Sequence, residues 1–407
     1  MQFKNIIGQT EVKEQLVQMI QHNRLSHALL FLGKEGSGSL SLAMAFAQYI
    51  VCENTGGKPK PKAAAASMFG DEEPASSVED SLNAIDACGV CSACKKANEM
   101  IHPDIHFSYP VIPRKPGDKP MSTDYIKEWR EFITSNPYAN VYDWLQFIGA
   151  ENKQGNITAA ECTDIIRKLN LKSFESEYKI LIMWLPEFLG KEGNKLLKLI
   201  EEPPANTLFI LVAENEEQIL PTIISRTQLV KIPLLTNKEV ETALTLQDVT
   251  TDRAQQVAAL SEGNYREALQ LLQHAEDDWQ GILREWLNAI LKGGPVAQVK
   301  WIDDISKQGR EKQKQFVKYF IHLLEQAVRL NAIGDDPQNT QSIAGNERDF
   351  ALRLNKLCSL PQQEAIINEL DKASYYIERN ANAKMLFHAL SIKLYHIISN
   401  NSLILVN

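Results

Sequence analysis

Residues 28–40 read ALLFLGKEGSGSL, an apolar run followed by a loop with three glycines, and residues 41–50 continue as SLAMAFAQYI. The unbroken apolar run predicts a strand covered on both faces, and the residues after the loop predict a helix. Two similar runs follow at residues 179–184 (KILIMW) and 208–213 (LFILVA). Such strands, alternating with amphipathic stretches, predict helices packed on a largely parallel sheet over roughly the first 230 residues.

The glycine loop has the position of a phosphate-binding loop. Gly33, Gly36 and Gly38 would let backbone N–H groups turn inward around phosphates at the positive end of the following helix. A working loop also needs a lysine for the phosphates and a serine or threonine for Mg²⁺. Ser39 and Leu40 stand at those positions. The remnant, which includes Ser39, is therefore interpreted as a tight strand-to-helix turn; residual nucleotide binding stays open, and hydrolysis is not expected.

The carboxylates that complete such a site are missing as well. Strand 179–184 is followed by Leu185, Pro186 and Glu187, where an Asp-Glu pair would hold Mg²⁺ and orient water. Glu187 alone would be at best a remnant of that pair.

Four cysteines predict a metal site. Cys88, Cys91 and Cys94 make two overlapping CxxC steps, and Cys52 ends the helix after the glycine loop. Four thiolates form a closed tetrahedral zinc site, whereas a redox dithiol needs only one CxxC in a different context. Cys52 is the least secure ligand because the segment up to Cys88 must loop out, although loop closure costs little more as a loop lengthens.

Other candidate ligands and thiols are weaker. His102 and His106 are alternative zinc ligands, but they are interpreted as ordinary strand-entry residues. Cys162 and Cys358 lie in helical patterns and are expected to be buried hydrophobes. Six cysteines in a chain of 407 residues are too few for a disulfide framework.

The rest of the chain divides by composition. Residues 56–77 are rich in Pro, Gly, Ala and charge and predict a mobile insertion, and residues 109–122 form a proline-rich loop. After Pro233 the pattern becomes helical. The predicted helices are 236–246, 251–275, 276–292, 310–333, 345–357, 362–380 and 382–399. In the last, Leu386, Leu390, Leu394 and Ile397 form one apolar stripe, for which a packed bundle is favoured over an oligomer contact.

An arginine near the end of the α/β region is a candidate for action in trans. Residues 194–204 (NKLLKLIEEPP) predict a helix stopped by two prolines, and residues 222–227 (TIISRT) follow one strand later. Arg226 at such a domain edge can stabilise the charge that develops on a phosphate in a neighbouring subunit. Without further context, a surface ion pair is the more common role for an exposed arginine.

The net charge of −8 argues against a protein that coats nucleic acid by itself, because nonspecific DNA binding depends on neutralising phosphates. No signal-type N-terminus and no bilayer-length apolar run is present in the sequence, so a cytoplasmic protein without membrane association is expected.

The pieces resemble one family when taken in order. The segments are FKNIIGQTEVKEQL (3–16), RLSHALLFLG (24–33), CGVCSAC (88–94), NKLLKLIEEPP (194–204) and TIISRT (222–227). Over most of residues 1–232 they resemble the clamp-loader subunits of DNA polymerase III. Residues 261–272 (SEGNYREALQLL) resemble the start of the family's sensor-2 helix, with Arg266 at the sensor position. Residues 380–394 resemble the last collar helix of the delta-prime branch.

The resemblance implies an architecture. It comprises an AAA+ α/β domain of the P-loop NTPase type with a zinc module at 1–232, a small helical lid domain at 233–275, and an all-α collar domain at 276–407. The family's tau/gamma branch carries an intact GKT loop and an Asp-Glu pair, so Ser39 and Leu40 favour the delta-prime branch. The resemblance makes Arg226 an arginine finger in trans, with Thr227 in place of the usual Cys, and leaves Arg266 no sensing role.

The implied function is that of a non-motor subunit in a hetero-pentameric clamp loader. Its partners would be the tau/gamma motor subunits, delta, the sliding clamp and, through the complex, primed DNA. Zn²⁺ would be its structural cofactor, and neither ATP at its own site nor intrinsic activity is expected, although it would be a subunit of a DNA-directed DNA polymerase holoenzyme. The alternatives are an ATP-hydrolysing tau/gamma-type subunit and a zinc-dependent DNA-binding adaptor.

Overall fold

The structure is a computed structural model of the chain. It describes residues 1–54, 86–115, 117–150, 153–273, 278–333, 345–378 and 381–400. The insertion predicted at residues 56–77 lies outside these residues.

The chain forms two compact units. The first contains Met1–Val249 and Ser261–Leu269, and the second contains Thr250–Leu260 and Gln270–Asn407. The division between the units does not test the three domains expected from the sequence, so the boundaries after residues 232 and 275 stay a prediction.

A five-stranded parallel sheet forms the centre of the first unit. Its strands are β1 (Ala28–Gly33), β2 (Ile105–Ser108), β3 (Lys179–Trp184), β4 (Thr207–Ala213) and β5 (Gln228–Ile232). They lie in the order β2-β3-β4-β1-β5, and each neighbouring pair is parallel. The parallel sheet expected from the apolar runs is therefore confirmed.

Both faces of the sheet are covered. In β3, Ile180 and Ile182 belong to one hydrophobic core, whereas Leu181 and Met183 belong to another on the opposite face. Successive side chains of a strand point to opposite faces. A strand buried on both faces must therefore be apolar through its interior, which explains why these runs do not alternate with polar residues.

Helices of the first unit surround the sheet. They are α1 (Thr10–Gln21), α2 (Ser39–Val51), α3 (Ser92–Asn98), α4 (Ile126–Ser135), α5 (Val141–Phe147), α6 (Ala159–Leu169), α7 (Leu197–Glu201), α8 (Pro221–Ile224) and α9 (Asn237–Thr245). Short 3-10 turns lie at Phe3–Asn5, Ser122–Tyr125 and Glu216–Gln218, and a kinked one at Pro186–Leu196.

The helices after α9 are α10 (Thr251–Ser261), α11 (Tyr265–Gln273), α12 (Trp279–Asn288), α13 (Gly294–Lys307), α14 (Arg310–Ile333), α15 (Gly345–Leu357), α16 (Leu360–Glu378) and α17 (Ala383–Asn400). A π-helical turn at Ala289–Gly293 joins α12 to α13. The helical character predicted after Pro233 is confirmed, but the predicted helices do not include α13, which begins with Gly294 and Pro295. Proline is in fact well tolerated in the first turn of a helix.

The single helix predicted at 251–275 is wrong, because the chain turns between α10 and α11. Gly263 has a φ of +84°, and a Cβ atom there would collide with the backbone oxygen of Leu235. Only glycine combines this left-handed conformation with such a close approach. The turn brings the start of α11, with Arg266, into the first unit.

The apolar stripe of the last helix packs within the second unit. Leu390, Leu394 and Ile397 are buried, and Leu386 is half-buried against the same core. The packed-bundle interpretation is thus confirmed for this stripe. Among the described helices, none combines the length and apolarity needed to cross a membrane.

Asp104 fixes the loop that leads into β3. Its buried carboxylate accepts backbone N–H bonds from Phe174, Glu175 and Ser176 at 2.6, 2.7 and 2.8 Å. Burial works against ionisation, but these three bonds outweigh it and hold the pKa of Asp104 below its usual 3.8. The ionised carboxylate therefore stabilises the connection between α6 and β3.

We expect Asp104→Asn to lower the free energy of unfolding by about 2–3 kcal/mol at neutral pH, because charge-assisted hydrogen bonds are lost. A depressed folded-state pKa contributes stability above the ordinary carboxyl range, and this stability is lost as pH falls through the folded pKa. Urea unfolding at pH 7 and below pH 3.8 measures both effects. The difference between wild type and variant should shrink at the lower pH, and a difference that stays constant would contradict this role.

Candidate functional site

The glycine loop lies where the sequence places it, between β1 and the N-terminus of α2. Gly36 and Gly38 have φ values of +74° and +83°, and α2 starts at Ser39. Gly36, Ser37 and Gly38 are buried. The chain thus makes a tight glycine turn from β1 into α2, with Ser39 and Leu40 in the first turn of the helix.

Side chains from distant parts of the chain cover this loop. A Cβ atom on Gly36 would overlap Asn264, and one on Gly38 would lie 2.7 Å from the Tyr138 ring. The rings of Tyr138 and Tyr265 lie 4.9 Å apart, and the Tyr265 N–H donates to the carbonyl of Gly36 at 3.3 Å. The surface on which a phosphate would rest is therefore packed by the protein's own residues.

An ion cluster lies beside the loop. Arg266 is 5% exposed, and its Nη1 donates to Glu35 Oε1 at 2.9 Å. Its Nε and Nη2 donate to the two carboxylate oxygens of Asp143 at 2.5 and 2.7 Å. Asn140 Nδ2 donates to Glu35 Oε2 at 2.9 Å. A buried guanidinium without such partners would cost several kcal/mol, so the two carboxylates hold the start of α11 against the loop.

Sequence reasoning identified Arg266 but missed its partners. Asn140 and Asp143 do carry a local signal, since Asn140 caps α5 and Asp143 completes the capping box. That signal predicts a helix start and nothing about a second role for Asp143. Glu35 lies within the glycine loop itself, and the loop pattern, which is defined by its glycines and by the missing lysine, predicts no partner for Glu35.

Glu187 performs a structural task at the carboxyl end of β3. Its Oε1 accepts N–H bonds from Glu214 and Asn215, at 2.7 and 2.9 Å, just after β4. Burial raises the pKa of Glu187 despite these bonds. The carboxylate therefore ties the ends of two neighbouring strands together, and Leu185 and Pro186 beside it offer no metal ligand.

The four predicted cysteines come together. The Sγ atoms of Cys52, Cys88, Cys91 and Cys94 all lie within 4.8 Å of one another, and those of Cys88 and Cys94 are 3.9 Å apart. Zn–S bonds of ~2.3 Å in a tetrahedron place sulfur atoms about 3.8 Å apart. The cluster is therefore compatible with a structural zinc ion, and it includes Cys52, which sequence reasoning considered the least secure ligand.

Backbone groups favour the thiolate form in part of this cluster. Burial opposes it, but backbone N–H groups of Cys91 and Val90 lower the pKa of Cys88 to about 6. At Cys94 burial dominates and raises the pKa. A cation among the four sulfurs would favour deprotonation of all of them.

The remaining candidates lie apart from the metal cluster. Among the described residues, the group close enough to share an ion contains the four cysteines and neither histidine. His102 is buried, and its Nδ1 accepts the N–H of Asp104 at 3.2 Å, while His106 lies within β2. Cys162 and Cys358 are buried, as expected, and burial raises the pKa of each thiol to about 11.

Arg226 lies at the rim of the first unit, between α8 and β5. Its side chain is 32% exposed and forms an ion pair with Glu201, the last residue of α7. The Nε–Glu201 Oε1 distance is 2.6 Å, and Nη1 donates to the Thr222 carbonyl at 2.8 Å. The guanidinium is thus accessible to a partner while being held by its own chain.

Comparisons with known proteins agree on one group. A family model described as "DNA polymerase III, delta subunit" matches residues 8–73 and 72–236. DNA polymerase III subunit delta' of Bacillus subtilis is 26% identical over 268 residues, which are 66% of this chain and 60% of that protein. Subunit delta' of Escherichia coli K12 is 26% identical over 269 residues, 66% and 60% of the two chains.

Another relative belongs to the tau group. DNA polymerase III subunit tau of Bacillus subtilis is 25% identical over 318 residues, 76% of this chain and 44% of that protein. The chain thus spans about 60% of the delta' relatives' length and less of tau. The family model, however, matches more than half of the 407 residues. The chain therefore belongs to the DNA polymerase III delta subunit family.

Proposed function

We propose that this protein is a non-motor, delta-prime-type subunit of a DNA polymerase III clamp loader. It would support ATP-driven loading of the sliding clamp onto primed DNA and supply Arg226 to the ATP site of a neighbouring subunit. The observation that carries the proposal is a phosphate loop, within a chain of this family, that lacks its lysine and is packed by the protein's own residues. Delta', gamma and tau subunits among its relatives support a multi-subunit setting.

The proposal includes the domain plan and the partners. Residues 1–232 would be the AAA+ domain, residues 233–275 the lid and residues 276–407 the collar through which the subunits assemble. The partners would be the tau/gamma motor subunits and delta, with the clamp and primed DNA met through the complex. The protein would act in the cytoplasm.

The loop's surroundings support a subunit without its own ATP turnover. Ser39 offers no positive charge for phosphates, and Leu40 offers no ligand for Mg²⁺. Glu35 places a carboxylate in the loop, and it pairs with Arg266, so this arginine is not available to a phosphate there. A carboxylate near a bound phosphate would repel it, so we expect the loop to disfavour nucleotide binding as well as to lack catalytic groups.

Zinc would complete the cysteine cluster. The ligands would be Cys52 at the end of α2, Cys88 and Cys91 before α3, and Cys94 within it. A tetrahedral ion would bind these elements to each other and neutralise the thiolates. Its role would be structural because four protein ligands leave no open position for a substrate.

The two alternatives predict different behaviour. A motor subunit would bind and hydrolyse ATP as an isolated chain. A zinc-dependent DNA-binding adaptor would bind DNA alone with steep salt dependence, which the net charge of −8 does not favour.

Restoring the missing lysine and Mg²⁺ ligand tests whether their absence prevents nucleotide binding at the glycine loop. We expect wild type to show no ATP–Mg²⁺ binding at micromolar concentration, and the Ser39→Lys, Leu40→Thr variant to bind weakly. Adding Glu35→Ala should tighten binding by about tenfold, since a repulsive charge worth at least 1.4 kcal/mol is removed. Fluorescence anisotropy of a labelled ATP analogue measures this, with the exposed Glu131→Ala as the matched control. Micromolar binding and turnover by wild type would favour the motor subunit instead.

Removal of one cysteine tests whether the four-cysteine cluster binds zinc. We expect the purified chain to hold one Zn²⁺ and Cys91→Ser to lose it, with a melting temperature lower by several degrees because α3 loses its link to α2. Elemental analysis and thermal unfolding measure the two effects. Cys162→Ala should keep its zinc, and full zinc occupancy in Cys91→Ser would rule out the proposed ligand set.

Arg226 is tested in the assembled loader. The loader is reconstituted with the cognate motor subunit and delta, and ATP hydrolysis is measured in the presence of clamp and primed DNA. We expect Arg226→Ala to slow this hydrolysis by tenfold or more at the neighbouring ATP site that Arg226 completes. The reason is that a full positive charge is withdrawn from the transition state, and arginine fingers have effects of ~10³-fold. Gel filtration should show unchanged assembly. An unchanged rate would reduce Arg226 to a surface residue and favour the adaptor.

A further inference from the structure

The guanidinium of Arg226 is held by a defined set of contacts. Glu201 accepts from both Nε and Nη2, while Nη1 donates to the Thr222 carbonyl and to Ser225 Oγ. An arginine side chain has five N–H donors. Within the described residues these contacts use four of them, so one N–H on Nη2 stays available on a side chain that is 32% exposed.

We infer that Glu201 is a positioning residue for Arg226: it holds the edge of the guanidinium formed by Nε and Nη2 so that the remaining N–H of Nη2 can face a phosphate group bound by the neighbouring subunit. This inference rests on the proposed function, because it assumes that Arg226 acts in trans. It assigns a task to the Glu-Glu-Pro-Pro turn and links it to the Ser-Arg segment that follows β4.

The backbone around Glu201 suits this task. Glu201 ends α7, and Pro203 and Pro204 follow one residue later. Proline cannot continue a helix, and it restricts the residue before it to an extended conformation. Glu202, which precedes Pro203, has φ −125° and ψ 70°, so it lies outside the helical region and α7 ends at the residue before it. The turn therefore fixes where the Glu201 side chain begins, next to the short helix α8 that carries Thr222.

Holding an arginine side chain in one orientation in advance lowers the entropy cost of its later hydrogen bonds. The side chain has about 2 kcal/mol of rotamer entropy, and its planar fork loses less per hydrogen bond when it is already oriented. A carboxylate on the Nε and Nη2 edge orients the group and leaves the second N–H of Nη2 for another anion. An exposed ion pair of this kind stabilises the fold by only ~0–1 kcal/mol, so its main effect is expected on the rate.

The test is a double-mutant cycle in the reconstituted loader, with ATP, clamp and primed DNA. We expect Glu201→Ala to lower kcat by about three- to fivefold with KM for ATP unchanged, and Glu201→Gln, which keeps one acceptor oxygen, to fall less. In the Arg226→Ala background, Glu201→Ala should have no further effect. Glu202→Ala is the matched control and should leave kcat unchanged, because the contacts of Arg226 recorded in the described chain do not include Glu202.

Each other outcome overturns a defined statement. If Arg226→Ala lowers kcat but Glu201→Ala does not, the positioning role is wrong and the proposed function stands. If Glu201→Ala lowers kcat equally in both backgrounds, or together with assembly, Glu201 acts on the fold and the inference is again wrong. If Arg226→Ala leaves kcat unchanged, the trans role of Arg226 fails and this inference fails with it.

Discussion

Burial of the parallel sheet on both faces is the constraint on which the rest of the first unit depends. It requires apolar residues in the interior of β1, β3 and β4, and it leaves polar residues such as Lys179 and Thr207 only at the ends of the strands. Parallel strands present their carboxyl ends at one edge. The glycine loop after β1 and Glu187 after β3 therefore lie at that edge. The fold provides the place for a nucleotide, and side chains decide whether one can bind.

The side chains at this edge of the sheet form their polar contacts with other groups of the same chain. Arg266 contacts the carboxylates of Glu35 and Asp143, and Glu187 bonds to the backbone after β4. The pairing of Arg266 satisfies a buried guanidinium that would otherwise be costly, and Glu187 uses one of its two carboxylate oxygens for the bonds to the backbone. Groups beside the glycine loop and at the end of β3 are thus used for contacts within the chain, which agrees with the proposal of a subunit that supplies Arg226 to a neighbour.

Local sequence patterns predict much of the structure, and the parts that they do not predict depend on contacts between residues far apart in the chain. The strands at residues 28, 179 and 208, the turn of the glycine loop and the CxxC steps of Cys88, Cys91 and Cys94 follow from runs and spacings within a few residues, whereas Cys52 joins the cluster from 36 residues away. The break at Gly263 depends on the backbone of Leu235, and the partners of Arg266 and Arg226 come from elements far away in the chain. No periodicity encodes such contacts. The missed helix α13 shows a different limit, since its Gly-Gly-Pro start signals both a break and a helix N-terminus.

The most direct test of this account is a cryo-EM structure of the assembled loader with a non-hydrolysable ATP analogue. The account predicts an empty glycine loop with Arg266 still bound to Glu35 and Asp143, and the Arg226 guanidinium about 3 Å from a phosphate oxygen in the neighbouring subunit. A nucleotide bound in this chain's own loop, with Arg266 turned towards it and Arg226 facing solvent, would contradict the account.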